Sequence, residues 1–246
     1  ETGRFDPVAI CEEFVAWYKT GKHSPTGSCF DIGNQTAKAL SDFAATGNPI
    51  ANWNEDSRGN GSLMRTAPVA LAHLGDDDGI AAAARRLSLL THGDPLAADA
   101  CVLWCVGIDR AVRKRRRDGV RDGLALLAPD QAAFWAAKLD EAEGRNPHAY
   151  SDGNGFVVTA LQAAWAVITH TPVPGEQPAR HFQRALQEAV RVGRRRLDHA
   201  ERVVDGQEAR QRLLDLRDLE PRSGVLRRDS PAHQEAVEAA HRGDLL

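Results

Sequence analysis

The 246-residue chain has one methionine, Met64, and begins at Glu1. With no initiator at its start, it reads as a fragment of something longer. Its 4 cysteines are too few to staple a fold of this length through disulfides. Cys101 and Cys105 fall on one face of a predicted helix, so reduced, buried thiols in a cytoplasmic protein are expected. No apolar run approaches the roughly 20 residues that span a bilayer, so no membrane association is expected. No secretory segment with an apolar stretch opens the chain. Neither sign of charge dominates: 31 Lys and Arg stand against 34 Asp and Glu, for a formal net charge of −3. That balance argues against specific nucleic-acid binding. No segment alternates convincingly between apolar and polar residues, which leaves the all-α class.

What is present is a globular composition, 42% hydrophobic and 26% charged, enough for one large core or two small ones. Helical punctuation recurs. Asp6-Pro7 is an N-cap and first-turn pair, Ile10, Phe14 and Trp17 follow at helical spacing, and Gly21 closes the helix. A second helix is predicted over about 33–45, and residues 48–62 read as one long loop. A helix fits 80–90. Asp94-Pro95 repeats the cap signal, with Leu96, Ala100, Leu103, Trp104, Ile108 and Ala111 as the buried face behind it. That helix runs into the basic stretch Arg113–Arg117, which suits a solvated helix C-terminus. Asp130 is expected to cap a helix carrying Phe134, Trp135 and Leu139. Residues 144–155 form a second polar loop before an apolar helix over 156–168. Phe182, Leu186, Ala189 and Val190 are predicted as the inner face of another helix. Ala-rich faces permit close helix packing. After Gly193 the composition turns to Arg, Asp, Glu and Gln, with a charged amphipathic helix around 197–219 and a poorly packed tail over 220–246.

Two glycine-rich loops are candidates for chemistry. In Gly59-Asn60-Gly61-Ser62-Leu63-Met64-Arg65, the glycines allow close backbone approach, and successive N–H groups can form a nest for phosphate at the start of a helix. Arg65 can bind a phosphate or fix the loop through a carboxylate. The plainer alternative is a turn into a helix with Ser62 as its N-cap. Ser151-Asp152-Gly153-Asn154-Gly155-Phe156 repeats the logic, with Phe156 either stacking on a base or sugar or simply joining the core. Neither loop matches a P-loop or a dinucleotide fingerprint, because no strand precedes it. His92, in Thr91-His92-Gly93-Asp94, reads as a base, a ligand or a structural residue. Asp76-Asp77-Asp78 reads as a solvated turn, and the cysteines lack zinc-ligand spacing. The residues alone assign no metal ligand.

In combination these motifs resemble the ADP-ribosylglycohydrolase family, which includes the dinitrogenase reductase-activating glycohydrolases. The signature loop is Gly59–Arg65 with Thr66-Ala67-Pro68-Val69-Ala70-Leu71. Asp31–Thr36 resembles the segment upstream, Thr91–Pro95 the segment downstream, and Asn154–Trp165 the family's glycine-led helix start. The resemblance covers about residues 1–193, with 194–246 as a divergent charged tail. It implies an all-α, orthogonally packed multi-helical domain, incomplete in this chain. It also implies hydrolysis of the glycosidic bond joining ADP-ribose to a protein side chain or small molecule. A pair of divalent cations, usually Mg²⁺, would orient ribose hydroxyls, position water and stabilise developing charge. By resemblance, Asn60, Gly61, Ser62, Met64 and Arg65 shape the ADP-ribose site, and Asn154, Gly155 and Phe156 line the other side of the cleft.

The family's Thr-Asp-Asp-Thr metal motif would precede Glu1. Its Asp-x-Asp-Thr stretch should follow Val192-Gly193, where Arg194-Arg195-Arg196-Leu197-Asp198-His199 stands instead. The principal Mg²⁺ ligands are therefore expected to be absent from this chain, and catalytic residues are not assigned. An altered reading frame or a replaced tail after Gly193 would account for the change. Three functions follow as expectations: an ADP-ribosyl hydrolase, an inactive ADP-ribose-binding remnant, or a helical interaction protein.

Overall fold

In the computed structural model, residues 5–50, 57–175 and 179–201 are described. The chain divides into two units, Glu1–Arg196 and Leu197–Leu246. Nearly all the described residues lie in the first. The amphipathic helix and tail expected beyond residue 201 lie outside the described residues.

The architecture is all-α. Helices α1 (Pro7–Thr20), α2 (Asn34–Thr46), α3 (Ala67–Ala72), α4 (Asp77–Leu89), α5 (Pro95–Lys114), α6 (Pro129–Gly144), α7 (Val157–His170) and α8 (Ala179–Glu201) follow in order. Three 3₁₀ segments, Leu63–Arg65, Gly119–Leu126 and Pro147–Tyr150, join them. Among the described residues the one strand-like feature is an isolated bridge between Gly59 and Phe156. No helix of the described residues is long and apolar enough to cross a membrane.

The core is built around α5. The Asp94 carboxylate caps it by accepting from the Leu96 N–H at 2.7 Å, and Pro95 occupies the first turn, where a missing N–H costs nothing. From Ala97 to Arg110 the helix is buried on almost every side, so small residues alternate with Val102, Leu103 and Val106. The predicted one-sided face is therefore too narrow, and Ala111, placed on it, is exposed. Helices α3, α4 and α7 and the 3₁₀ segment 119–126 pack on α5, α6 packs on α7, and α1 pairs with α2. Cys11, Cys101 and Cys105 are buried free thiols.

Several starts and faces differ from the sequence reading. Asp130 does not cap α6: Ala128 is the cap and Pro129 takes the first position, leaving Asp130 in the first turn beside the positive helix end. Asp76-Asp77-Asp78 is not a free turn: Asp76 caps α4 through the Gly79 N–H, and Asp77 grips Arg110. The loop over 144–155 contains the 3₁₀ turn Pro147–Tyr150, with Tyr150 buried. Among the residues of α8 whose side chains are described, the buried ones are His181, Ala185 and Val192, whereas Phe182, Leu186, Ala189 and Val190 face outward. The apolar side of α8 is wider than the surface it packs on. Hydrogen-bond contacts from His181 to the Ile168 carbonyl and to Arg117 mark the edge that packs inward. The basic stretch ends α5 as a solvated helix end, with Arg115 in the left-handed region and Arg116 paired with Asp118 and Asp122.

One charged cluster fastens α4 and the 119–126 segment to α5. The Arg110 guanidinium donates to both Asp77 oxygens at 2.8 and 2.6 Å, to Asp122 at 2.9 Å and to Asp109 at 2.5 Å. Asp109 is fully buried and also accepts from the Gly75 N–H at 2.8 Å. Removing the cation leaves that carboxylate without its main partner. Arg110→Ala is expected to lower stability by about 3–5 kcal/mol, a fall of about 10 °C in melting temperature. Circular dichroism melting checks this; an unchanged transition would refute it.

Candidate active site

The two glycine-rich loops form one ledge. The Val157 N–H donates to the Arg58 carbonyl at 2.8 Å, and the Asn60 N–H to the Gly155 carbonyl at 3.0 Å. The Asn60 side-chain amide donates to the Asn154 carbonyl at 2.8 Å. Arg58 Nε reaches Asp94 Oδ2 at 2.9 Å, tying the ledge to the cap of α5. The expectation that Asn154, Gly155 and Phe156 form an opposing wall is corrected: they stand beside Gly59 and Asn60. Of the three, Gly155 lines the cavity. Asn154 supplies a carbonyl to Asn60, and the Phe156 ring is partly exposed at 38%.

The cavity in front of the ledge has a volume of about 980 Å³. Its opposite wall comes from α1, through Phe14 and Trp17, and from residues 30–36 leading into α2. Asp31 turns this segment in the left-handed region (φ 52°), a conformation that Asp tolerates better than most residues. The N-cap of α2 is Gly33, which has no side chain to bond the free amides of the first turn. Gly33, Asn34, Gln35 and Thr36 all line the cavity, so these amides give its wall a positive electrostatic character.

Asn60, Gly61, Met64 and Arg65 line the cavity as well. Met64 is 78% exposed at the rim. Ser62 does not reach the cavity. It is buried, and its hydroxyl accepts from Ser88 Oγ at 3.0 Å. Nor does it cap a helix: its backbone is already right-handed, a single 3₁₀ turn follows, and α3 begins at Ala67. A phosphate nest at a long helix start is thereby replaced by a ledge of two close backbones.

Arg65 forms the floor. Its guanidinium donates to the carbonyls of Gly61 at 3.0 Å and Leu87 at 3.3 Å and to the Thr91 hydroxyl, and it lies 5.3 Å from the centre of the Phe14 ring. Among the described residues no carboxylate pairs with it, and its buried Nε has no hydrogen-bond partner. Burial pushes this arginine down to about 10. His92 lies directly behind the glycines. A Cβ on Gly61 would stand 2.8 Å from His92 Cε1. Burial, and then the charge of Arg65, push the His92 imidazole down to about 4, so the ring is neutral near pH 7.

Sequence reasoning missed Phe14, Trp17 and the 30–36 segment as cavity residues. Their aromatic spacing matches a core face, and the missing side-chain cap at Gly33 was the available signal. Among the described residues no group of three or more His, Cys, Asp or Glu side chains could hold a metal ion. Among the described residues the cavity's acidic side chains are Asp31 and Glu13, and Glu13 is engaged by Lys22 and His23. This donor set does not fit a Mg²⁺ pair.

The family model described as ADP-ribosylglycohydrolase matches residues 1–196. The ADP-ribosylarginine hydrolase Tri1 of Pseudomonas putida (strain GB-1) is 29% identical over 168 residues, 67% of this chain and 44% of that protein. The protein of the same name from Serratia proteamaculans (strain 568) is 27% identical over 167 residues, covering 67% and 45%. The ADP-ribosyl-[dinitrogen reductase] glycohydrolase of Rhodospirillum rubrum is 32% identical over 100 residues, covering 41% and 32%. The chain spans less than half the length of these curated relatives.

Two outcomes follow from the packing behind the ledge. Gly61→Ala forces a methyl against a buried ring and is expected to cost about 1–3 kcal/mol; a wild-type urea midpoint would refute this. His92 binds its proton less readily in the folded chain, at about 4, than at its ordinary 6.5. Between these values the unfolded chain holds a proton that the folded chain does not. Stability is therefore intact above about pH 6.5 and erodes as pH falls toward about 4, by about 3 kcal/mol in total. His92→Gln is expected to flatten this part of the urea-stability profile; parallel profiles for variant and wild type would refute it.

Proposed function

Because the chain belongs to the ADP-ribosylglycohydrolase family, we propose that it acts in hydrolysing the glycosidic bond between ADP-ribose and a protein side chain or small molecule. Its cavity holds the ADP-ribose. The observation that carries this reading is that one cavity is lined both by aromatic side chains and by a guanidinium with no carboxylate partner among the described residues. ADP-ribose has both complementary parts, a flat adenine and a diphosphate. Phe14, Trp17 and Phe30 offer aromatic surface for the base. The uncapped start of α2 favours the diphosphate, and so does the charge of Arg65. The volume of about 980 Å³ lies at the upper end of the usual range for small-molecule sites.

In the reaction, a water oxygen bonds to the anomeric carbon as the bond to the leaving nitrogen or oxygen breaks, and the leaving group gains a proton. The divalent cations that the family resemblance implies would, when bound, orient the ribose hydroxyls and the water. The described residues do not provide their ligands, so the role assigned to this chain's own residues is recognition and positioning of ADP-ribose. That same scarcity of carboxylates favours a second reading, in which the chain binds ADP-ribose without cleaving it. The proteins it resembles carry names for arginine-linked and dinitrogen-reductase-linked ADP-ribose, which makes ADP-ribosyl-arginine the first substrate to test.

Calorimetry with ADP-ribose is expected to give saturable binding, weakened about tenfold or more by Trp17→Ala. Absence of binding by the folded chain would remove both nucleotide readings and leave a helical interaction protein. Mg²⁺ with ADP-ribosyl-arginine then separates the first two: released ADP-ribose supports the hydrolase, and binding without release supports the second reading.

A further inference from the structure

Thr91 is wholly buried, and its side-chain hydroxyl meets two groups. Arg65 Nη2 donates to it. A guanidinium has no lone pair to offer, so the Thr91 oxygen is the acceptor. The hydroxyl proton then needs an acceptor of its own. Among the described residues the available one is His92 Nδ1, 2.7 Å away. A proton on Nδ1 would make the Thr91 oxygen accept twice and leave its buried hydroxyl proton without an acceptor among the described residues, an unsatisfied donor that folding disfavours. Nδ1 is therefore bare, and the neutral ring carries its proton on Nε2.

Nε2 lies on the other side of the ring, toward the ledge. A Cβ on Gly61 would come within 3.0 Å of it, and one on Gly59 within 3.2 Å. Among the described residues it makes no hydrogen bond, and His92 lines the cavity. His92 is 2% exposed, and it borders the cavity through the space that side chains at Gly59 and Gly61 would fill.

We propose that Arg65 and Thr91 form a relay that locks His92 in its Nε2–H tautomer, giving the cavity floor a fixed neutral N–H donor. Arg65 and Thr91 are positioning residues in this relay. The locked ring takes an oxygen acceptor, of phosphate or hydroxyl type, and does not serve as a base toward the cavity. The use of this donor on ADP-ribose rests on the function proposed above; the tautomer itself does not.

The test is ¹⁵N–¹H spectroscopy of the imidazole nitrogens in the full chain labelled with ¹⁵N-histidine. The His92 signals are identified among the chain's 9 histidines by their loss in His92→Gln. The wild type is expected to show a bare Nδ1 and a protonated Nε2. Thr91→Val should release the ring into a mixture of tautomers, and Thr91→Ser should restore the lock. A protonated Nδ1 in the wild type, or a Thr91→Val spectrum unchanged from it, would overturn the relay. In parallel calorimetry, Thr91→Val should weaken ADP-ribose binding about tenfold and Thr91→Ser should leave it near wild type. A locked tautomer with no ADP-ribose binding in any variant upholds the relay and removes the nucleotide reading. Equal binding by all variants, with the tautomer released, overturns the use of the donor on ADP-ribose.

Discussion

Arg65 is a guanidinium drawn well out of water without a carboxylate among the described residues to meet it. Such a group is tolerated when its donors find oxygen, and here they find two carbonyls and a hydroxyl. Those oxygens come from the ledge, from the last turn of α4 and from the segment before α5. One cation therefore fixes the relative positions of three pieces of chain. Its charge stays unneutralised and faces the cavity. Burial is the main reason His92 stays neutral, and the charge of this side chain adds to it.

The ledge shows how a site can be built from backbone. The hydrogen bonds that join Arg58 and Asn60 to Gly155 and Val157 use peptide groups on at least one side throughout. Asn60 turns its side-chain amide toward Asn154 and away from solvent. Gly61 leaves room for His92. A cavity wall of this kind needs few distinctive side chains, and it is shaped by what is missing from Gly33 and Gly61 as much as by what is present.

Local chemistry made most helix ends legible. Asp6-Pro7 and Asp94-Pro95 announce helix starts because a cap and a proline act within one turn. Asp130 misled because Pro129, one residue earlier, had the stronger claim on position. The outward face of α8 was not legible: Phe182 and Leu186 are as apolar as any core residue, and the inward edge was chosen by contacts from His181 to residues distant in sequence. The signature loop was visible in the sequence, but its joining to Asn154 and Gly155 was not. Backbone bonds across that separation leave no pattern in side chains. Phe14 and Trp17 face a cavity while obeying the spacing of a buried helix face, so periodicity could not distinguish wall from core.

Asp94 serves both the core and the site. One oxygen holds the first turn of α5, the helix around which the rest packs, and the other holds Arg58 at the root of the ledge. The first turn of the central helix and the recognition surface thus share a single carboxylate. Loosening of the ledge reaches the start of α5 directly, and ordering of the ledge by a bound molecule is transmitted the same way. A molecule held in the cavity would stabilise the folded unit by mass action, so protection against heat or protease is expected to report occupancy of the site even when no bond is cleaved.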